Sequence, residues 1–199
     1  ARATAQAIAK FLKTKLKLTI NTEKSGIRRP VNFTILGFGF VPAYRKGSRN
    51  DYQLVVAEKA WKKLKEKLKS ISRKTAPIQL EERIAKIKEV QRGWLNYFRG
   101  TSIMGKLRDL DGWLRNRLRY CIWHDWKKPE RKRKNLIRLG VDPDHAYAFS
   151  RTRKGGWAIA QSPILSTTIT LKRLRQRGYQ SLTDVYIELN PSFCEPPST

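Results

Sequence analysis

Three arginines in the stretch MGKLRDLDGWLRNRLRYCIWHDW, Arg108, Arg115 and Arg119, stand seven and eleven positions apart. On a helix that spacing puts them along one line. Guanidinium forks pair bidentately with phosphate oxygens, so such a line suits the backbone of a polyanion, although a solvated basic face has the same spelling. Lys132, Arg133 and Lys134 form a second cationic cluster, inside a run that is either solvated or phosphate-binding. A third gathers Arg151, Arg153 and Lys154 around a glycine pair and Trp157. Aromatic rings among cations can stack on bases and neutralise phosphates at one place.

Other chemistries are poorly supplied. The chain has 16 carboxylates, and the closest thing to a pair, Asp109 and Asp111, is separated by a leucine on a helix, so the two point about 200° apart. Two-metal phosphoryl transfer needs carboxylates that converge. Cys121 and Cys194 lie far apart without a C-x-x-C, and His124 and His145 are not at metal-ligand spacing, so no metal site is expected. Cys121 falls among apolar residues as a small hydrophobe, in keeping with a reducing compartment. No stretch approaches the roughly 18 apolar residues of a membrane span. With 43 Lys+Arg against 16 Asp+Glu the net charge is +27 over 199 residues. That excess destabilises a compact state by self-repulsion unless a polyanion is its usual neighbour, which makes nucleic acid the first candidate partner.

These residues need elements to carry them. ARATAQAIAKFLKTKL spaces Ala5, Ile8, Leu12 and Leu16 as one face of a helix. VNFTILGFGFV mixes β-formers around Gly37 and Gly39 and reads as a strand with a bulge or close neighbour, ended by Pro42. Residues 43 to 52 read as a linker. Three amphipathic helices follow. The first buries Ala57, Ala60, Trp61, Leu64, Leu68 and Ile71; the third, Leu107, Leu110, Leu114, Leu118 and Cys121. The second places Leu80, Ile84, Ile87, Gln91, Trp94, Leu95 and Phe98 on one stripe, which divides GWLNYF in two. Gly93, Asn96 and Tyr97 fall on another side. A glycine inside a helix costs roughly 1 kcal/mol relative to alanine and implies a close approach, by a neighbouring helix or by a nucleic-acid strand. Tyr97 either packs on the bundle edge or stacks on a base. Beyond Pro129 the basic run should rejoin a core at Leu136, Ile137 and Leu139. TTITLKRLRQRG reads as one helix closed by Gly178, and Ser181 with Asp184 caps a last short helix.

LKLTINTEKS followed by ILGFGF resembles the late palm motifs of group II intron reverse transcriptases. GWLNYF, RKGGWAIAQSPIL and QRGYQSLTDVYIEL resemble their maturase domain, also called domain X or the thumb. The resemblance spans essentially the whole chain. It implies a mainly α fold in which residues 1–42 are the edge of a palm with a small β element. Residues 43–126 would be a three-helix thumb bundle, and 127–199 a basic helical maturase region. It further implies group II intron RNA as partner, with a DNA target or RNA/DNA duplex as a further one, and a role in splicing. In a full-length protein it implies RNA-directed DNA synthesis with Mg²⁺. Lys24 would be an accessory to the polymerase, and Leu36, Gly37 and Phe38 its primer grip. The family's Tyr-Ala-Asp-Asp-type motif and its endonuclease extension are absent from these 199 residues, so no cofactor and no polymerase activity are expected of the chain by itself. The single methionine, Met104, and an opening inside a helix suggest one piece of a longer protein whose N-terminal reverse transcriptase portion is missing. A fragment of an active reverse transcriptase and a ribosomal-type RNA-binding protein are the other readings. The expected setting is the bacterial cytoplasm in a nucleoprotein, with an organelle as the alternative.

Overall fold

A computed structural model describes residues 2–21, 23, 25–43 and 52–191. Lys24, Cys194, most of the expected linker and the proline-rich tail from residue 192 lie outside the described residues. The fold is mainly α, with one two-stranded antiparallel sheet, and divides into two compact units, Ala1–Ala57 and Glu58–Thr199.

In the first unit the apolar spacing of the opening residues forms α1, Arg2–Thr14, which buries none of its side chains within the unit. The LGF motif makes a hairpin. Ile35 and Phe38 exchange backbone hydrogen bonds of 2.9 and 2.8 Å across Leu36 and Gly37, whose φ values of 52° and 84° are both left-handed. Two positive φ values make the two-residue turn that matches strand twist. Strand β1, Phe38–Pro42, then pairs in antiparallel register with β2, Tyr52–Val56, from Phe38 opposite Val56 to Pro42 opposite Tyr52. The second strand corrects the linker reading at Tyr52 and removes Ala57 from the helical stripe. The pairing satisfies backbone groups that YQLVV by itself gave no reason to place.

The second unit is built on α2 (Glu58–Ile71), α3 (Leu80–Phe98) and α4 (Met104–Asp125). The expected stripes are buried: Trp61, Leu64 and Leu68 on α2, Leu80, Ile84, Ile87, Gln91, Leu95 and Phe98 on α3, and all five positions on α4. Trp94 is half-buried, its ring 4.7 Å from that of Trp61 and 4.6 Å from that of Phe98, so it closes the rim of the core. The loop between α2 and α3 is organised by Arg83. This fully buried side chain donates to the carbonyls of Arg73 at 2.8 Å and of Ile71, Ala76 and Ile78. A buried guanidinium is tolerable because its donors are met.

Six shorter helices complete the unit: α5 Pro129–Arg138, α6 Pro143–Ser150, α7 Gly156–Ala160, α8 Pro163–Thr168, α9 Leu171–Gln176 and α10 Leu182–Leu189. The basic run is therefore a helix, joined to α6 through Gly140 at φ 94°. Leu136 enters the core, Leu139 is half-buried, and Ile137 faces out, against expectation. TTITLKRLRQRG is two helices, because Thr170 caps the second by accepting from the Arg173 N–H at 3.3 Å. Ser181 caps α10 as anticipated, accepting from the Asp184 N–H at 3.1 Å. The C-terminal helices do not hang off the bundle. Helix α7 packs on α4, and α10 on both α3 and α4.

Candidate nucleic-acid interface

Helix α4 has two polar sides, and the fold treats them differently. On one side lie Arg108, Asp111, Arg115 and Arg119, three or four residues apart. Asp111 is 1% exposed and serves as a second cap for α10. Its carboxylate accepts from the Leu182 N–H at 2.7 Å, the Thr183 N–H at 2.9 Å, the Thr183 hydroxyl at 2.8 Å and the Tyr179 hydroxyl at 3.4 Å. A carboxylate at a helix N-terminus meets both orphan N–H groups and the positive end of the dipole. Burial, and then the Asp111 carboxylate, push the Tyr179 hydroxyl well above its ordinary range.

Arg119 is also buried. It donates Nε to the Ile169 carbonyl at 3.1 Å and Nη1 to Asn116 Oδ1 at 2.8 Å, and burial followed by Arg115 lowers its pKa. The arginine line is thus corrected. Arg119 is a structural clamp under the C-terminal helices, Arg115 is half-buried, and Arg108 is exposed.

The opposite side of α4 presents Lys106, Asp109, Trp113, Arg117 and Tyr120 toward Lys62, Lys65 and Lys69 of α2. The two helices enclose grooves there. One is lined by Lys59, Trp61, Lys62, Lys65, Lys106 and Trp113 with the carboxylates of Glu58 and Asp109, Glu58 accepting from Lys106 at 2.8 Å; the next along by Lys69, Arg73, Lys74, Arg117 and Tyr120 with that of Glu66. Cations and rings alternate along the face. Lys106 Nζ lies 5.7 Å from the Trp61 ring centre, Lys65 Nζ 5.4 Å from that of Trp113, and Lys74 Nζ 5.1 Å from that of Tyr120. Such pairs are attracted through the ring quadrupole. Arg117 sits 5.9 Å from Trp113 and 5.8 Å from Trp157 and is anchored from below. It donates to the Ser72 carbonyl at 2.7 Å, the Ser72 hydroxyl at 3.1 Å and the Lys69 carbonyl at 3.2 Å. These bonds also cap the end of α2. Trp157 meets Tyr120 edge-on at 5.8 Å, and a Cβ at Gly156 would come within 2.7 Å of the Tyr120 ring, so glycine is what lets α7 close over it.

The remaining expected residues are scattered. Lys132 reaches back over Trp123 at 4.6 Å, and its burial lowers its pKa. Arg133 and Arg151 both approach Glu130, Arg151 at 2.5 Å, and flank the Tyr147 ring; Lys134, Arg153 and Lys154 are exposed. Asn96 and Tyr97 face outward on α3, Tyr97 52% exposed with its ring edge-on to Phe98 at 4.7 Å. A Cβ at Gly93 would meet nothing within 4 Å, which removes the neighbouring helix as the reason for that glycine. In the first unit Leu36 and Gly37 form the hairpin tip, Leu36 77% exposed, and Phe38 opens the strand.

The model of the group II intron maturase-specific domain matches residues 61–140. Those residues are similar to that domain. The matched span runs from Trp61 on α2 to the turn after α5, so it takes in almost all of the α2–α4 face, and Trp157 comes from outside it to complete the face. No curated protein matches the chain. Within the matched span the sequence signal overlooked was Trp113 and Tyr120 seven residues apart with Arg117 between them. Two half-buried rings on a polar helix side are more distinctive than arginines in a chain this basic.

A two-metal site does not fit, since Asp109 opens onto the groove while Asp111 is buried beneath α10. Among the described residues no three His, Cys, Asp or Glu side chains gather as metal ligands, and no helix is long and apolar enough to cross a membrane.

Proposed function

We propose that this chain binds structured group II intron RNA through the α2–α4 face and so assists splicing of that RNA. The observation that carries the reading is the coincidence of the maturase-specific match with the face where cations and rings alternate. Lysines on α2 supply the phosphate contacts, while Arg117 and the C-terminal helices hold the rings in place. In a longer protein carrying the polymerase carboxylates and their Mg²⁺, the same helices would lie beside template and primer as a thumb, with Leu36, Gly37 and Phe38 at the primer end and the DNA target as a further partner. The chain by itself is expected to extend no primer, because among the described residues no carboxylates gather as metal ligands.

Binding to a group II intron RNA and to a ribosomal RNA fragment of equal length, measured across a salt series, tests this. A marked preference for the intron RNA, with affinity falling steeply as salt rises, is expected. Equal affinity for both would favour a general RNA-binding protein of ribosomal type, and primer extension by the purified chain with Mg²⁺ would overturn the division of labour.

A further inference from the structure

The rings of the α2–α4 face have a more particular use than charge neutralisation. A-form duplex offers its partner phosphates, 2′-hydroxyls and base-pair edges, while the faces of its bases are closed by their own stacking. A face built for duplex needs cations and small polar groups. Here Trp113 and Tyr120 stand half-buried on one side of α4, seven residues and so about 10.5 Å apart along the helix. That is about three steps of a stacked strand at 3.4 Å each.

The arrangement is rigid. Arg117, between the rings in sequence, spends Nε and Nη2 on Ser72 and Lys69. Its role is to fix Trp113 and Trp157 in place. Tyr120 is fixed by Trp157 and by the close approach of Gly156. The phosphate-seeking charges are instead the exposed lysines on the α2 wall, Lys62, Lys65 and Lys69. Rings held on one wall and exposed lysines on the other, Lys65 resting over Trp113 until a base displaces it, form a slot for a strand that shows base faces to one side and phosphates to the other.

We propose that the α2–α4 groove is a site for unpaired RNA, a short single-stranded run whose bases stack on Trp113 and Tyr120 and whose phosphates meet the α2 lysines. The inference rests on the RNA-binding reading and narrows it to a class of RNA. Stacking on aromatic rings is tolerant of sequence, so the site selects for the unpaired state rather than for particular bases.

The test uses the whole chain and two dye-labelled probes, a single-stranded oligouridine and an RNA duplex of the same length, titrated by fluorescence anisotropy at one salt concentration. The single strand should bind more tightly. Trp113→Ala should lower its affinity about 5- to 150-fold while leaving that of the duplex unchanged, and Trp113→Phe, which keeps a ring, should retain most of it. Should Trp113→Ala unfold the protein, Lys65→Gln with Lys69→Gln, both on the exposed wall, should weaken the single strand more than the duplex. Polyphosphate should compete poorly. A duplex preferred over the single strand, equal losses for both probes, or polyphosphate competing as well as oligouridine would each overturn the unpaired-RNA site while leaving RNA binding intact. Binding to neither probe, nor to intron RNA, would remove the broader reading with it.

Discussion

The two polar sides of α4 are spelled with similar residues and do opposite work. One carries Arg108, Asp111, Arg115 and Arg119, the other Lys106, Asp109, Trp113, Arg117 and Tyr120. The first is covered by the C-terminal helices at Asp111 and Arg119, which become a cap and a clamp, while Arg108 stays exposed. The second stays open toward α2, and its charged groups stand among rings. Charge along a helix therefore says little until the elements that cover it are known. A cation's use is decided by whether its donors are spent on backbone, as at Arg119, Arg117 and Arg83, or left to solvent, as at Lys62 and Lys65.

The comparison breaks first at Asp111. Asp111→Ala leaves the buried Leu182 N–H and the Thr183 donors without their acceptor, and should cost at least about 3 kcal/mol of stability in denaturant titration. A variant that melts like the parent would mean that this carboxylate does not hold α10. Arg119→Ala comes next, at about 2 kcal/mol, since it orphans the Ile169 carbonyl and Asn116. On the same line the exposed Arg108→Gln should stay within about 0.5 kcal/mol. Equal costs for the two would erase the distinction between covered and open arginines.

Alkaline pH sharpens the covered side. Cys121 and Tyr179 both titrate above their ordinary values of 9.0 and 10.0, each chiefly through burial. A raised folded pKa gives stability that is fully present below the unfolded value and lost as pH rises through the folded one. Melting temperature should therefore start to fall above pH 9 and drop more steeply past pH 10. In Tyr179→Phe the second part of that fall should be shallower than in the parent. Gly93→Ala has the smallest effect. With open space at the Cβ position it should stabilise α3 by somewhat under about 1 kcal/mol, and a destabilised variant would show that something does pack there.

What was legible in the sequence follows from periodicity. The core stripes of α2, α3 and α4 repeat at helical spacing, and the structure buries them with few exceptions. The hairpin was half-legible: VNFTILGFGFV reads as one strand where Leu36 and Gly37 in fact turn the chain, and Tyr52–Val56 is five residues of extended chain running directly into a helix of similar apolar content. The cap at Asp111 was not legible, because its partners lie 71 and 72 residues away and nothing local marks a carboxylate as buried. For the same reason the arginine line looked like a surface. The α2–α4 face was legible in part, since Trp113 and Tyr120 interrupt a polar helix side, yet in a chain with 43 basic residues arginine spacing masked them.

On the proposed function the open side of α4, with α2, faces RNA and the covered side does not. The salt dependence of intron RNA binding tests it directly, comparing Lys65→Gln with Lys69→Gln against Arg108→Gln, after melts confirm that both proteins are folded. Each phosphate contact contributes about 0.7 to 0.9 to the slope of log affinity against log salt. The lysine pair should make that slope shallower by about 1.4 to 1.8, and Arg108→Gln should leave it where it was. An unchanged slope in the lysine pair, together with a shallower one in Arg108→Gln, would put the RNA on the other side of the helix.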